Sequence, residues 1–437
     1  MFHLRWMRRY ATEVLFPARA SLLRQVAEHD SSWDRFRRYA TWMRRLLLDR
    51  EDNEWMTDDT FNHILTGSPD GFVCPTLHHL TCYLTGDSVR FISHFLSPHL
   101  THLTIRLRLF DIFSGDPSQN LGPALRILQT SRLQEVFIDL GQDGTDHIRD
   151  EVASMIQRCG HLLRVLSVPV PLGEAETHHI MGLENLRVWD RVCSPPPTAF
   201  PVSTTFPPLQ ALGLSNVGAY GWIPWLTQRE RDISDTYDGS VEYAGLRSTL
   251  ARLNFQEPVP ISATFISPLF FFPNLVDLYI RSNCFGAAGC VFSLTNQDVV
   301  QLSAALPRLE QLDFGAPCHW NACRTTISCF LALSVRCKGL SKLKIHFNTT
   351  NLAGDIRSLS EDPNFHELRS LPTRCLLQFF SAGRLPLPPG ISNDDITTIA
   401  TGLIDIFPSL RVIISRGGSG WDQLHARVCE LRGIPAR

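Results

Sequence analysis

Cysteine and histidine are the residues of this chain whose types could bind a metal. Cys284, Cys290, Cys318, Cys323, Cys329 and Cys337 crowd one stretch, with His319 among them. Structural zinc needs four ligands converging as a tetrahedron, usually from closely paired cysteines two to four residues apart. Here four, five and seven residues separate Cys318, Cys323, Cys329 and Cys337, and the last two fall on one apolar run. Small core thiols are therefore expected, and no metal. His99 and His102 flank the start of an apolar run, where their rings are expected to point to opposite faces. Gly417-Gly418-Ser419-Gly420 lacks the spacing of a nucleophile elbow and the lysine of a phosphate loop. Ser419 is expected instead to cap a last helix, Trp421 to Leu431. No paired carboxylates stand in an acid–base context. The chain is expected to be no enzyme and to carry no catalytic residue or cofactor. The rival reading, a metal-dependent enzyme set among the repeats described next, rests on those cysteines alone.

The elements that would position these side chains are visible as a repeated pattern. After residue 74 the spacing apolar–x–x–apolar–x–apolar recurs at Leu77/Leu80/Cys82, Leu100/Leu103/Ile105, Leu133/Val136/Ile138 and Leu163/Leu166/Val168. It continues at Leu183/Leu186/Val188, Leu209/Leu212/Leu214, Leu250/Leu253/Phe255 and Leu275/Leu278/Ile280. Leu309/Leu312/Phe314, Leu340/Leu343/Ile345 and a weaker Leu410/Ile413 complete the series. Two copies extend to an asparagine, Asn283 and Asn348, whose side chain can bond the backbone of the turn leaving the strand. Between copies lie helical runs, with Asn296 to Asp298 capping Val299–Leu306, and others over Thr325 to Cys337 and Asp394 to Phe407. A unit of strand, turn, helix and return cannot bury its own apolar edge, so such units must stack. The fold expected is a leucine-rich-repeat solenoid of the α/β class, with a curved parallel sheet on the concave side and helices on the convex side. It should cover residues 74–437, behind an N-terminal helical segment over 1–73. Ser194–Pro208, Trp222–Gly239 and Asp355–Asn393 break the rhythm and are expected to be insertions or long loops.

In each such strand the leucines face the core, so the residues between them project outward. That rule sets out a surface which includes His79, Thr81, His102 and Thr104. Its partner-binding candidates are Tyr83, Arg106, Phe137, Arg187, Trp189, Arg252, Tyr279, Arg281, Lys342, Lys344 and His346. Tyrosine, tryptophan and arginine are the types that dominate binding energy at protein interfaces. A protein partner on the concave face is the function this surface implies.

Charge and hydropathy narrow the setting. The net charge is −2, yet residues 1–50 hold eleven arginines against five carboxylates, leaving a mildly acidic body. That balance argues against nucleic acid as the partner. No run of 18 apolar residues exists, so no membrane span is expected. Twelve cysteines without framework spacing point to reduced thiols in a cytoplasmic or nuclear protein. The sequon at Asn348 is then incidental.

From Trp33 the apolar residues Trp33, Phe36, Ala40, Met43 and Leu47 fall on one face of a helix. This run, Ser32-Trp33-Asp34-Arg35-Phe36-Arg37-Arg38-Tyr39-Ala40, with Leu46-Leu47-Leu48-Asp49 at its end, resembles the segment after the F-box in fungal F-box/leucine-rich-repeat proteins. Cys74-Pro75-Thr76-Leu77-His78-His79-Leu80-Thr81 is similar to the start of that family's repeats. The resemblance spans roughly residues 30–437 and implies a substrate receptor of a ubiquitin ligase. Leu15-Phe16-Pro17 with Leu22, Leu23 and Val26 does not supply the three-helix F-box module. Either that module is lost or the sequence is a truncated form of a longer one, and without the module the ligase adaptor subunit is not expected to dock. A stand-alone repeat protein without a ubiquitin link is the alternative.

Overall fold

A leucine three residues, then two residues, ahead of the next apolar position turns one side chain into a tight corner and the next two onto one face of a strand. In the computed structural model this rule runs through thirteen strands among the described residues. The structure describes residues 40–48, 71–84, 86–107, 118–127, 132–139, 148–192, 208–214, 250–255, 261–280, 292–314, 323–363, 365–366, 375–383, 387–388, 390–415 and 419–435. These fall into two compact units, Met1–Pro208 and Leu209–Arg437.

In the first unit six strands follow one another: β1 (Arg45–Leu48), β2 (His79–Leu84), β3 (His102–Leu107), β4 (Glu135–Asp139), β5 (Val165–Ser167) and β6 (Val188–Val192). Each pairs in parallel with the next. One core row, Leu46, Leu80, Leu103, Val136, Leu166 and Trp189, runs straight across them, every member at most 3% exposed. Behind the strands a 3₁₀ segment (Gly86–Phe95), α1 (Ser118–Ile127), α2 (Arg149–Cys159) and α3 (Glu174–Met181) pack each on its neighbour.

The second unit repeats the plan with β7 (Ala211–Leu214), β8 (Arg252–Phe255), β9 (Asp277–Ile280), β10 (Gln311–Asp313), β11 (Lys342–Lys344), β12 (Phe379–Gly383) and β13 (Val412–Ser415), all parallel. Its helices are the short α4 (Ala263–Ile266), then α5 (Asn296–Ala305), α6 (Cys329–Arg336), α7 (Leu352–Glu361), α8 (Asn393–Ile406) and α9 (Ser419–Arg432). Thr295 and Asp298 close a capping box on α5. The core here is rich in aromatic rings. Phe330 lies 5.1 Å from Phe347, 5.6 Å from Phe380 and 5.9 Å from Phe407, and Phe380 meets Trp421 at 6.2 Å. Helix α9 packs on β13, and the Ile413 N–H donates to His425 Nδ1 at 3.3 Å. A backbone donor that a further strand would have taken is thus satisfied by a helix, the usual way of closing a sheet edge.

The stack of strand–helix units is the repeat architecture expected from the sequence. Asn348 does fix its turn, its side chain accepting the Thr350 N–H at 2.9 Å. Four local expectations differ. The helix expected through Leu47 gives way to β1, whose Leu46 and Leu48 are buried while Leu47 is only half-buried. Residues 31–39, the rest of that run, lie outside the described residues, as do Ser194–Pro207 and Trp222–Gly239. The stretch from Asp355, expected as a long loop, contains the end of α7 and all of β12. Phenylalanine and alanine occupy the β12 slots, as Leu377/Phe380/Ala382, and that hid the repeat. The final helix starts at Ser419 itself.

The fourth difference is a shift of three residues. Before each of β2 to β6, two successive backbone N–H groups donate to a single carbonyl of the preceding repeat. Gln134 and Glu135 do so to Thr101, and Arg164 and Val165 to Gln134. The next pair is Arg187 and Val188, bonded to Arg164. The repeat there is therefore Leu186/Trp189, not Leu183/Leu186/Val188.

Candidate functional site

The outward positions of the first unit form ladders across its strands. The first ladder is Arg45, His79, His102, Glu135; the second is Leu47, Thr81, Thr104, Phe137; the third is Tyr83, Arg106, Asp139. Each ladder is a row of cross-strand neighbours, the unit of side-chain interaction in a sheet.

Three of the candidates meet here. The guanidinium of Arg106 lies over the ring of Tyr83 at 5.5 Å and over the ring of Phe137 at 5.1 Å. The arginine is exposed and forms no ion pair or hydrogen bond among the described residues, although Asp139 is its register neighbour. Stacking on ring faces holds the guanidinium plane while leaving its N–H edges free for an acceptor.

Two residues along the strands from Thr81 and Thr104, His79 and His102 stack with ring centroids 3.9 Å apart at 18°. His102 Nε2 lies 3.4 Å from Glu135 Oε1, and its Nδ1 is 2.8 Å from Thr101 Oγ1. Burial, followed by His102, Arg45 and His78, pulls His79 down to about 4, so this ring stays neutral where an ordinary histidine would gain a proton. His78 is lowered as well, by burial and then by Arg44, His99 and His102. His99 and His102 thus belong to separate pairs, since His99 stacks on His78 at 6.2 Å. The stacked imidazoles were not foreseen; the clue was that two neighbouring repeats carry histidine at the same position.

In the second unit the outward candidates are engaged within the sheet. Arg252 Nε lies 2.8 Å from Asp277 Oδ2, its register neighbour. Lys344 Nζ lies 3.2 Å from Asp313 Oδ1, and Lys342 donates to Gln311 Oε1 at 3.3 Å. Tyr279 sits half-buried in the same row as Asp313 and Lys344. Beyond them the face becomes apolar. Phe379 is 39% and Ile414 is 52% exposed, with Val412 paired to Phe379. Neither was singled out, because nothing in a repeat pattern separates an exposed apolar residue from a core one.

Two candidates are buried rather than outward, and a third lies off the strand. Trp189 is 3% exposed and stands in the core row of the first unit, a direct result of the three-residue shift. His346 is fully buried, its ring meeting Phe292 edge-on at 5.4 Å, because the chain leaves β11 after Lys344 and turns inward. Arg187 precedes β6 rather than lying on it, and its Nη1 donates to the Glu184 carbonyl at 2.9 Å. Arg281 lies outside the described residues.

Of the cysteines weighed for metal, Cys323, Cys329 and Cys337 are buried and make no disulfide; Cys284, Cys290 and Cys318 lie outside the described residues. Burial pushes the Cys337 thiol up to about 12 and raises Cys329 further, which keeps both protonated and inert. No group of three or more His, Cys, Asp or Glu side chains placed to hold a metal occurs among the described residues. No helix among them is long and apolar enough to cross a membrane.

No protein-family model matches this chain, and no curated protein matches it. Among solved structures it is similar to the crystal structure of the Rad7 and Elc1 complex in yeast, at 12% identity and a TM-score of 0.45. That similarity covers 94% of this chain and 89% of that one.

Proposed function

We propose that this chain is a non-catalytic recognition scaffold which grips a protein partner with the open face of its strands. The observation that carries this is the Tyr83–Arg106–Phe137 cluster. It presents two aromatic rings and a guanidinium with no ion pair among the described residues on a regular sheet, where backbone pairing fixes their spacing. These are the residue types that anchor interfaces, and rigid rings lose little entropy when covered. The run Ser32–Ala40 and its likeness to F-box/leucine-rich-repeat receptors fits the same role, with the bound protein as a ligase substrate. Replacing Tyr83, Arg106 and Phe137 together by alanine, then comparing proximity-labelled partners with the parent protein, tests the reading. Loss of one or more partners is expected, since a truncated anchor typically costs about 2 kcal/mol or more, roughly 30-fold in Kd. Gln297→Ala with Gln301→Ala, exposed on α5, is the control for the helical side. A cluster variant that folds and keeps every partner, while the α5 variant loses them, would assign binding to the helices.

A further inference from the structure

Resting on that recognition reading, we infer that the β1–β3 part of the open face takes an extended acidic segment of the partner, with Arg106 receiving one carboxylate and Arg45 a second. The charges on the page are one-sided. Outward from β1, β2 and β3 point Arg45, Leu47, His79, Thr81, Tyr83, His102, Thr104 and Arg106, with no carboxylate among them. The nearest acids in the ladders, Glu135 and Asp139, belong to β4, and Glu135 already faces His102. Arg45 is exposed and, like Arg106, has no ion pair or hydrogen bond among the described residues. In the second unit two outward cations are neutralised within the sheet, Arg252 by Asp277 and Lys344 by Asp313. Arg106, whose register neighbour Asp139 forms no ion pair with it, and Arg45 are complementary to a ligand that brings carboxylates of its own.

The spacing restricts that ligand. Arg106 and His102 are four residues apart on β3, and Arg45 shares the His102 row but lies two strands away, on β1. Four residues of strand span roughly 13 Å, and residues four apart on an extended chain face the same way. A segment crossing β2 obliquely, with the long arginine side chains reaching over the sideways offset of roughly 10 Å, would thus place acidic side chains at positions i and i+4. The residue between them, at i+2, would lie over Thr81, Thr104 and the edge of Phe137. The hydroxyls can donate to its flanking carbonyls, and the ring offers an apolar side chain some cover.

Fluorescein-labelled eleven-residue peptides in a glycine–serine background, with leucine sixth, test this by anisotropy on the full chain. One carries glutamate fourth and eighth, one glutamine at both places, and one glutamate fourth and fifth. The i, i+4 glutamate peptide should bind about tenfold more tightly than the glutamine peptide, and more tightly than the adjacent-glutamate peptide. Arg106→Gln should remove that preference. Arg106→Lys, which keeps the charge but loses the two-pronged donor, should retain part of it. Equal Kd values for glutamate and glutamine peptides, absence of binding by both included, would overturn the inference. So would tighter, Arg106-dependent binding of a single-stranded oligonucleotide. If the peptides show no preference but the Tyr83/Arg106/Phe137 variant still loses labelled partners, the acidic ligand is wrong and the recognition face stands. If that variant also keeps every partner, the face itself is wrong.

Discussion

The two units share one backbone plan and solve the same packing problem with different side chains. In the first, the row of core residues across the strands is aliphatic from Leu46 to Leu166 and ends in Trp189, and rings and cations are turned outward as Tyr83, Arg106, Phe137 and the His79–His102 stack. In the second, rings are drawn inward around Phe330, and the outward cations Arg252 and Lys344 are matched by acids one strand away. The difference teaches where binding energy is still available. A guanidinium already paired with a carboxylate must give that bond up to bind anything else. One stacked on two rings keeps its donors in reserve.

The largest test of this contrast lies in the aromatic core. Phe330→Ala removes a ring that touches three others and should destabilise the second unit by about 3–5 kcal/mol in urea unfolding. A cost below about 1 kcal/mol would mean that the ring cluster is not what holds this unit together. Within the first unit, Trp189→Ala should cost a similar amount, whereas Phe137→Ala should cost less than about 1 kcal/mol. Equal losses would break the distinction between inward and outward rings, and with it the register of β6.

That last pair also marks the limit of what the sequence made legible. The spacing of Leu80/Cys82, Leu103/Ile105 or Leu278/Ile280 was enough to place strands, faces and parallel stacking, because leucine at those intervals has no better arrangement. It failed where the repeat is written in other letters. Leu183 and Leu186 imitate the motif at β6, yet the carbonyl of Arg164 accepts from Arg187 and Val188 and sets the register three residues later. Phe380 and Ala382 conceal β12, and Met43, Leu46 and Leu48 read as readily as helix as they do as strand. For the site, single positions could be assigned to a face, but contacts could not. That Arg106 rests on two rings, or that two imidazoles stack, follows from cross-strand register, which a one-dimensional pattern does not contain.

A smaller effect separates the two faces by pH. His79 stays neutral in the folded chain down to about pH 4, whereas in the unfolded chain it takes up a proton below about 6.5. Its contribution to stability is complete above pH 6.5 and is lost as pH falls toward 4. Because the ring is partly exposed, that loss should be roughly 1 kcal/mol. His79→Gln should flatten the fall in melting temperature between pH 7 and pH 5 by comparison with the parent. An unchanged pH profile would show that the stacked pair is not a proton-sensitive element. The smallest effect is expected at Arg252. This exposed ion pair with Asp277 should contribute at most about 1 kcal/mol, so Arg252→Ala should leave the unfolding midpoint nearly unchanged at high salt. A larger loss, insensitive to salt, would show Arg252 holding the fold rather than decorating its surface.

The most direct measurement follows the arginines themselves. Phenylglyoxal modifies accessible guanidinium groups, and the modified sites are read by mass spectrometry on the chain alone and on its complex with a captured partner. Protection is predicted at Arg106 and Arg45, with no change at Arg252 on the second unit or at Arg126, exposed on α1. Protection of Arg126 in the complex, with Arg106 still fully reactive, would contradict the assignment of partner binding to the open face of the strands.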